Sequence, residues 1–386
     1  MKSAEQKAKK VPTIRFAGFE DEWVEKKLGD VAGVYDGVHQ TPDYKNSGVM
    51  FLSVENISSL KSEKYISQDA FEKNYKVYPQ KGDVLMTRIG DVGTPNVVES
   101  DEKIAYYVSL ALLKPFDVDS YFLNDVIQSK TFQKRLKERT LLTAIPMKIN
   151  KDEIGKVGII HPIRKNEQRK IGSFFSNIDS LISLEQKKYD KLTQVKKSML
   201  EKMFPKEGAT VPEIRFTGFS GDWKERKLSQ LVSYFSSNLT AKDVQENGIY
   251  DLYDANGVIG KINCPPRKKE YISVIKDGAG VGRIRKLPKN TLVIGTMGIL
   301  ESIDSDLNFV SAMLERFELG KQFTGSTIPH IYFKDYGEHL YVVPNYCEQQ
   351  KIGSYFSHLD SLISLQQRKL EKLKNIKKSL LEKMFV

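Results

Sequence analysis

Two segments of the chain occur twice in the same order, and this internal repeat constrains the fold more than any single motif. Residues 167–204, which begin EQRKIG and end LEKMF, return at 348–385 with 26 of 38 positions identical. A shorter block at 11–28, VPTIRFAGFEDEWVEKKL, returns at 211–228 as VPEIRFTGFSGDWKERKL. The regions between these blocks show no comparable match. The chain is therefore a tandem duplication of two modules that share a frame and differ in their contents.

The longer repeated segment has the pattern of an amphipathic helix, with apolar residues at spacings near three and four. In the first copy they are Ile171, Phe175, Ile178, Ile182, Tyr189, Leu192, Met199 and Met203, and in the second Ile352, Phe356, Leu359, Ile363, Leu370, Leu373, Leu380 and Met384. The simplest way to bury both stripes is against each other, so we predict a coiled coil of two long helices. At 1.5 Å per residue, 38 residues make a rod of roughly 57 Å. The stripe leaves the direction of the helices open. We favour an antiparallel pair, which would relate the modules by a pseudo-twofold axis and put one globular domain at each end.

Both variable regions contain runs of β-branched and aromatic residues that end in Gly, Asp or Asn, which is typical of short strands. These runs are VMFLSVENI, GDVLMTRIG and YYVSLALLKPF in the first region, and IYDLYD, YISVIKDGAGVG, NTLVIGTMGIL and LNFVSAMLERF in the second. We expect one helix in each region, for example over 121–138 in the first. The predicted fold class is α+β, with two mixed α/β domains joined by two long helices. The predicted segments are a basic tail at 1–10, domains at 11–164 and 205–347, and helices at 165–204 and 348–386.

The net charge of +11 lies in the tail and the helices, because 11–164 carries −1 and 205–347 carries +1. A polyanionic partner is indicated, but the globular regions must bind it with locally arranged Lys and Arg. For the Lys-rich helix surfaces, a solvated coiled-coil face is the favoured interpretation. No apolar run approaches the roughly 20 residues needed to cross a bilayer, and the first ten residues lack the apolar stretch of a signal peptide. We therefore expect a cytoplasmic protein without membrane contact.

Motifs of catalysis are not recognisable in the sequence. No Gly-x-x-x-x-Gly-Lys phosphate loop occurs, and the five histidines show no metal spacing. The run 277–282, DGAGVG, follows a strand-like segment, but RIRKLPKN comes next with no helical period, so a hairpin or a bulge is favoured over a nucleotide loop. Cys264 and Cys347 indicate neither a disulfide framework nor a zinc site. We predict no catalytic residue and no bound metal.

The variable regions do contain turns rich in the residue types that read base edges in a DNA groove. In the first region the candidates are Thr87, Arg88, Asp91, Thr94 and Asn96 in TRIGDVGTPN, with Thr143 and Lys148 in LLTAIPMKI. In the second region they are Asn256, Arg283, Arg285, Ser326, Thr327 and His330, from DANGVIGK, GVGRIR and GSTIPHI. We expect roughly a third of them to approach DNA.

The repeated blocks resemble those of a known family over nearly the whole chain. The order VPxIRFxGFxxxWxxxKL, a hydrophobic-Pro strand, EQxKIGxxF and a long helix closing in KSxLxKMF is similar to the specificity subunit of type I restriction-modification systems. KGDVLMTRIGDVG at 81–93, and LYDANGVIGK with IKDGAGVGR in the second module, resemble the family's target recognition domains.

This resemblance implies a non-catalytic, sequence-specific DNA-binding subunit. Each variable region would be a target recognition domain that reads one half of a bipartite, asymmetric site in double-stranded DNA, and the helices would set the number of unread base pairs between the halves. The family's subunit recruits two methylation subunits, which methylate adenine with S-adenosylmethionine, and two restriction subunits, which use ATP. S-adenosylmethionine, ATP and Mg are expected on those partners, with no cofactor bound by this chain.

Two other functions are alternatives to this one. A self-contained DNA methyltransferase would need the cofactor-binding and catalytic motifs that the sequence lacks. A coiled-coil structural adaptor would need only the repeated helices, and its variable regions would have no role in the choice of a DNA target.

Overall fold

The computed structural model describes residues 10–322 and 329–386. The described chain forms two compact units, each of which holds one variable region together with parts of both long helices. The first unit comprises the residues up to Glu185 and Lys369–Val386, and the second comprises Gln186–Arg368. The boundary between the two compact units therefore crosses both long helices. All but the last residue of the predicted basic tail lies outside the described residues.

The first unit contains three sheets and four short helices, followed by the start of a long helix. Its strands are β1 (Val24–Lys27), β2 (Ala32–Asp36), β3 (Val49–Leu52), β4 (Tyr65–Ile66), β5 (Val84–Ile89), β6 (Asp91–Val97), β7 (Ile104–Tyr106), β8 (Leu110–Pro115) and β9 (Gly158–His161). Its helices are α1 (Gln68–Asn74), α2 (Ser120–Gln128), α3 (Lys130–Glu138), α4 (Lys151–Gly155) and the first part of α5 (Lys165–Lys202). The strand orders are β2-β8-β5-β6, β4-β3-β7 and β1-β9.

The second unit begins with the rest of α5 (residues 186–202) and has nine strands that correspond to those of the first unit, but its described residues contain no counterpart of α1. Its strands are β10 (Lys224–Lys227), β11 (Val232–Ser236), β12 (Tyr250–Tyr253), β13 (Val258–Ile262), β14 (Tyr271–Ile275), β15 (Ile284–Leu287), β16 (Thr291–Val293), β17 (Met297–Ser302) and β18 (Leu340–Val343). Its helices are α6 (Leu228–Leu231), α7 (Leu307–Phe317), α8 (Phe333–Tyr336) and most of α9 (Tyr346–Met384). The strand orders are β11-β17-β14-β15, β13-β12-β16 and β10-β18.

The two variable regions share one topology although their sequences do not match. Each strand of the second unit occupies the place of the strand nine positions earlier in the first. In both units the four-stranded sheet is antiparallel, and the three-stranded sheet has one antiparallel and one parallel pair. The duplication therefore includes the fold of the variable regions, and the predicted α+β class is confirmed.

Two predictions about local structure were wrong. The run LNFVSAMLERF, predicted as a strand, is helix α7, because its buried residues Phe309, Val310, Met313 and Leu314 follow a helical period and Asp306 caps its first turn by accepting a hydrogen bond from the Phe309 amide at 2.8 Å. The helix predicted over 121–138 is two helices. Extended backbone at Ser129 ends α2, and the Ser129 hydroxyl accepts a hydrogen bond from the Phe132 amide to start α3.

The long helices α5 and α9 run antiparallel within each unit. In the first unit Lys377 bonds to Asp179 at 2.6 Å, and Lys369 bonds to Glu185 at 2.8 Å, so the numbering of the two helices runs in opposite directions. In the second unit the Lys196 ammonium lies 2.5 Å from Asp360, which repeats the Asp179–Lys377 contact with the two helices exchanged. The antiparallel pairing is thus confirmed inside both units, and the pseudo-twofold relation between the modules stays a prediction.

Each core is closed by the C-terminal end of the other repeat's long helix. In the first unit Phe385, which follows α9, packs in a cluster with Trp23, Phe122 and Phe175 at ring-centroid distances of 5.6–6.2 Å. In the second unit Phe204, which follows α5, packs at 5.5–6.2 Å with the corresponding aromatic residues, Trp223, Phe309 and Phe356. Neither core is therefore complete with the residues of one repeat alone.

A buried ion pair joins each head block to the start of its long helix. Arg15 donates from Nε and Nη2 to the two carboxylate oxygens of Glu167 at 2.6 and 2.8 Å. Arg215 makes the same bidentate contact with Glu348 at 2.7 and 2.8 Å. The side chains are only 10% and 1% exposed in the first pair and 16% and 0% in the second. Removal of one partner of such a pair destabilises the fold, because the other charge is left buried without its counterion.

We expect Phe385→Ala to lower the free energy of unfolding of the first unit by about 3–5 kcal/mol, because it removes a buried aromatic ring. One of the two tryptophans lies in each unit, so denaturant unfolding in a Trp223→Phe background, followed by Trp23 fluorescence, reports the first unit alone. Phe116→Ala is the matched control, since that ring is 67% exposed. Equal effects of the two substitutions would contradict the closure of the core by Phe385.

We expect Arg15→Ala to destabilise the first unit by about 3–5 kcal/mol, and Arg215→Ala to do the same to the second, because each leaves a buried glutamate without its cation. Lys10→Ala is the control, since the Lys10–Glu25 pair is exposed and should contribute no more than about 1 kcal/mol. Urea unfolding of the three variants measures these differences. A loss for Arg15→Ala as small as that for Lys10→Ala would show that the buried pair does not hold the frame.

Candidate nucleic-acid interface

A hairpin joins two neighbouring strands of the four-stranded sheet at the same topological place in each unit. In the first unit β5 turns into β6 at Gly90, whose φ of +82° suits glycine. In the second unit β14 pairs with β15 across residues 276–283, where Gly278, Gly280 and Gly282 have φ of +80° to +86°. The glycine-rich run is thus a hairpin connection, as predicted, and it opens no helix.

A second loop is tied to each hairpin by backbone hydrogen bonds. In the first unit the Gly90 amide donates to the Met147 carbonyl at 2.9 Å, and the Ile149 amide donates to the Arg88 carbonyl at 3.0 Å. In the second unit the Gly278 amide donates to Pro329 and the Ile331 amide to Lys276, both at 3.0 Å. We call these the first hairpin–loop pair (residues 87–96 with 141–149) and the second hairpin–loop pair (residues 276–285 with 329–331).

Two residues predicted to contact DNA lie in the interior of the first hairpin–loop pair. Arg88 is 5% exposed, pairs with Asp36 and donates from Nε to the Ile149 carbonyl at 3.0 Å. Thr87 is fully buried, and its hydroxyl donates to Asp91 at 3.2 Å and accepts from the Thr94 amide at 2.9 Å. Both side chains hold the hairpin in shape and are too deeply buried to face a ligand.

The other candidates of the first pair lie toward solvent. Asp91, Thr94, Thr143 and Lys148 are exposed, and Asn96 is half-buried because its amide donates to the Ile57 carbonyl at 2.8 Å. Lys148 forms isolated β-bridges with both Ile89 and Leu141, which places it where the hairpin and the second loop meet. The structure thus brings the two candidate segments TRIGDVGTPN and LLTAIPMKI together.

Three candidates of the second unit converge on one turn. Asp254 folds this turn by accepting hydrogen bonds from the amides of Asn256 and Gly257 at 2.7 and 2.9 Å. Arg283 donates to the Ala255 carbonyl, and Arg285 donates to the Asn256 carbonyl at 3.4 Å. Asn256 and Arg283 are exposed. A polar amide and two guanidinium groups therefore share one edge, which suits hydrogen bonding to base edges or phosphates.

His330 lies at the centre of the second hairpin–loop pair. Its Nδ1 lies 2.7 Å from Oδ1 of Asp277, and the two residues also form a β-bridge. The contact with the Asp277 carboxylate fixes the orientation of the imidazole on the hairpin. The remaining candidates, Ser326 and Thr327, lie outside the described residues.

An open cavity of about 820 Å³ adjoins Arg283 and Arg285. Its lining also includes Lys196, Lys286 and Arg368. Burial lowers the pKa of Lys196, but hydrogen bonds to Asp360 and Glu315 raise it, and the net effect leaves this pKa above its usual range. The Lys196 charge is thus held in place by two carboxylates, while the arginines form the basic wall of the cavity.

Neither a metal centre nor a membrane-spanning helix is found in the described part of the chain. Residues 10–322 and 329–386 contain no group of three or more His, Cys, Asp or Glu side chains placed to hold a metal ion. No helix in these ranges is both long enough and apolar enough to cross a bilayer.

Comparison with known protein families matches residues 20–194 and 220–375 to the type I restriction modification DNA specificity domain. The two matches cover both variable regions and most of both long helices. The chain belongs to the type I DNA specificity family. Its resemblance to that family in the repeated head and helix blocks is thereby confirmed, and each specificity domain lies for the most part in one unit.

Two relatives are named as specificity subunits. The type I restriction enzyme MjaVIII specificity subunit of Methanocaldococcus jannaschii is 24% identical over 278 residues, which are 64% of this chain and 65% of that protein. A type I specificity subunit described for Mycoplasma genitalium is 24% identical over 295 residues, which are 72% of this chain and 73% of that protein. The chain thus spans slightly less than two thirds of the first of these relatives.

A solved structure supports the same architecture. The crystal structure of the type I restriction-modification S subunit from Mycoplasma genitalium aligns with a TM-score of 0.70 at 18% identity, over 97% of this chain and 99% of that chain. At this identity the likeness establishes the fold.

Some residues of the interface were missed by sequence reasoning. Lys286 follows Arg285 directly and was recognisable as a basic neighbour. Arg368 lies on α9, distant in sequence from the hairpin, and only the folded unit brings it to the same cavity. Asp36 and Asp254 were missed because their roles are to hold Arg88 and the turn at Asn256, and a single sequence gives no signal for such pairings.

We expect Arg283→Ala to weaken binding of the specific DNA by about 1–3 kcal/mol and to relax the choice of base in one half-site only. Competition binding against duplexes with single substitutions in each half-site measures both effects. Lys289→Ala, which removes an exposed charge beyond the end of β15, is the control and should leave base choice unchanged. An equal loss on every duplex, with a smaller salt dependence, would instead mark Arg283 as a phosphate contact.

Proposed function

We propose that the chain reads a bipartite, asymmetric sequence in double-stranded DNA and scaffolds the subunits that modify and cleave it. The first hairpin–loop pair reads one half-site, and the second hairpin–loop pair with the turn at Asn256 reads the other. The function lies in recognition and assembly, and the chemistry lies on partner subunits.

One observation carries this proposal: the same hairpin–loop device occurs in both units on one topology but presents different side chains. The first pair exposes Asp91, Thr94 and Lys148, whereas the edge in the second unit carries Arg283 and Asn256. Duplicated surfaces with different donors and acceptors suit two different base sequences, because bases are distinguished by their hydrogen-bonding patterns in the groove. A structural adaptor would not need two edges with different hydrogen-bonding groups.

The long helices α5 and α9 act in this proposal as a spacer. Helix α5 has 38 residues and α9 has 39, so each is roughly 57 Å long at 1.5 Å per residue. One turn of B-DNA is about 34 Å, so half-sites separated by about one turn are within reach of such a rod. The helices would then fix the number of unread base pairs and leave the read bases to the hairpins.

The partners in this proposal are two methylation subunits and two restriction subunits. S-adenosylmethionine, ATP and Mg would be bound by these partners. Methylation of adenine requires the base to leave the stack, so the recognition domains would also hold a distorted duplex. The head blocks and the long helices, which are repeated almost unchanged, are the proposed docking surface.

Methylation mapping by long-read sequencing tests the proposal directly. Cells that express the chain with its methylation subunit are expected to carry methyladenine at a bipartite motif. Replacement of residues 29–145 by the variable region of another family member should change one half of that motif and leave the other half intact. Unchanged methylation would favour a structural adaptor, and micromolar binding of S-adenosylmethionine to the isolated chain would favour a self-contained methyltransferase.

Insertion of one heptad after Gln186 and another after the equivalent Gln367 is expected to lengthen the unread spacer by about three base pairs, since seven helical residues add about 10 Å. Both half-site sequences should stay the same. Insertion of a three-residue segment of Gly and Ser after Gly208, outside both helices, is the control and should leave the length of the unread spacer unchanged. A new half-site sequence with an unchanged spacer would show that the helices do not measure the separation.

A further inference from the structure

The second loop of the first hairpin–loop pair exposes apolar side chains to solvent. Ile145 is 101% exposed, Leu142 53%, Leu141 46% and Met147 39%. Single exposed apolar residues are common on protein surfaces, but a run of them at a loop tip marks a site of interaction. In the described part of the first unit, no other large apolar side chain is as exposed as Ile145.

This loop is closed and anchored by its own backbone. The Leu141 amide donates to the Lys148 carbonyl at 2.8 Å, and the Lys148 and Ala144 amides return to the Leu141 carbonyl at 3.4 Å. The Gly90 amide of the hairpin also donates a hydrogen bond to the Met147 carbonyl at 2.9 Å. The apolar tip is therefore carried by a closed loop with a defined shape, which lowers the entropic cost of inserting it into a partner.

The position of the tip indicates the kind of partner. Lys148, which bridges to Ile89 at the turn of the hairpin, and Thr143 are exposed on the same loop. Asp91 and Thr94, the exposed residues proposed to read the first half-site, lie on the strand that leaves this turn. The projection is narrow and consists of a few side chains between polar neighbours, unlike the broad apolar patch of a protein-docking face.

We propose that Ile145, supported by Leu142 and Met147, is an apolar wedge that inserts between base pairs of the first half-site. This inference rests on the proposed DNA-reading function and adds a specificity-determining residue to it. Leu, Ile, Met and Pro are the side chains with which proteins partly unstack and kink a duplex. Insertion is easiest at flexible pyrimidine–purine steps, so the wedge selects sequence at a step that no hydrogen bond reads.

The wedge also suits the chemistry proposed for the assembly. Unstacking a base step beside the target adenine lowers the work of extruding that base, which the methylation subunit needs for access. Ile145 itself makes no contact with the reacting atoms in this scheme. It acts by deforming the duplex, and its effect should therefore depend on the deformability of the step as well as on its identity.

The test uses the full chain in complex with its methylation subunit and a duplex that carries the mapped target. 2-Aminopurine placed at successive positions reports unstacking by an increase in fluorescence. Besides the signal at the extruded target adenine, we expect the wild-type complex to unstack one further step in the half-site read by the first unit. Ile145→Ala should abolish the signal at this further step and weaken specific binding about tenfold, within the range that one lost base contact costs. Binding to a non-specific duplex should stay the same, and Ile145→Leu should retain the signal.

Ile163→Ala is the matched control, since this isoleucine is 61% exposed and lies in the same unit away from the hairpin. Equal losses for both substitutions would overturn the wedge. An unchanged fluorescence signal with Ile145→Ala would overturn it as well, and so would a weakened complex with the methylation subunit at unchanged DNA unstacking, which would identify a protein contact. Failure of the wild-type complex to distinguish target from non-target DNA would count instead against the proposed function.

Discussion

The buried ion pairs Arg15–Glu167 and Arg215–Glu348 are the contacts on which the frame depends, and they explain why two separate blocks are repeated together. The head block supplies the arginine, and the start of the long helix supplies the glutamate. Each pair is bidentate and almost free of solvent, so losing either partner would strand a charge in the interior. Head and helix therefore match between the modules because they bind each other in both.

The residues after each of these glutamates continue the same attachment. Gln168 accepts a hydrogen bond from the Asp119 amide at 2.8 Å, and Gln349 accepts one from the Asp306 amide at 3.1 Å, so each long helix holds the N-cap residue of a domain helix. A Cβ on Gly353 would lie 2.1 Å from the Asp306 carboxylate, and one on Gly172 would lie 2.7 Å from the Phe122 amide. In the motif EQxKIG, the Glu thus pairs with the arginine of the head block and the Gln accepts a hydrogen bond from the N-cap amide. The Ile is a core residue, and the Gly allows the domain helix to approach closely.

Periodic features were predictable from the sequence, whereas features that depend on long-range partners were not. The stripe that includes Ile171 and Phe175 predicted the long helices, and the runs around β3, β5 and β14 predicted strands, because burial follows local spacing in both cases. The apolar run of LNFVSAMLERF fits a strand as well as a helix. The N-cap residue Asp306, just before the run, favours the helix. Lys196 resembles the lysines of a solvated face, yet its side chain is only 13% exposed between Glu315 and Asp360. The residue type and the turn predicted that Arg88 faces DNA, but its partner Asp36, 52 residues away in the sequence, holds it in the interior.

The way in which the hairpins are held lets one fold carry two unlike edges. Gly90 bonds to Met147, and Gly278 to Pro329, through main-chain atoms only, so the equivalent contacts survive any change of side chain that the backbone accepts. The aromatic clusters that close the two cores, by contrast, depend on particular rings at Phe385 and Phe204. Side-chain contacts therefore fix the frame. Main-chain contacts tie the second loop to the hairpin in both units, and the side chains that shape each edge, such as Arg88 in the first and Asp254 in the second, differ between the units. A chain built in this way can exchange the exposed side chains of its hairpins without disturbing the packing that positions them.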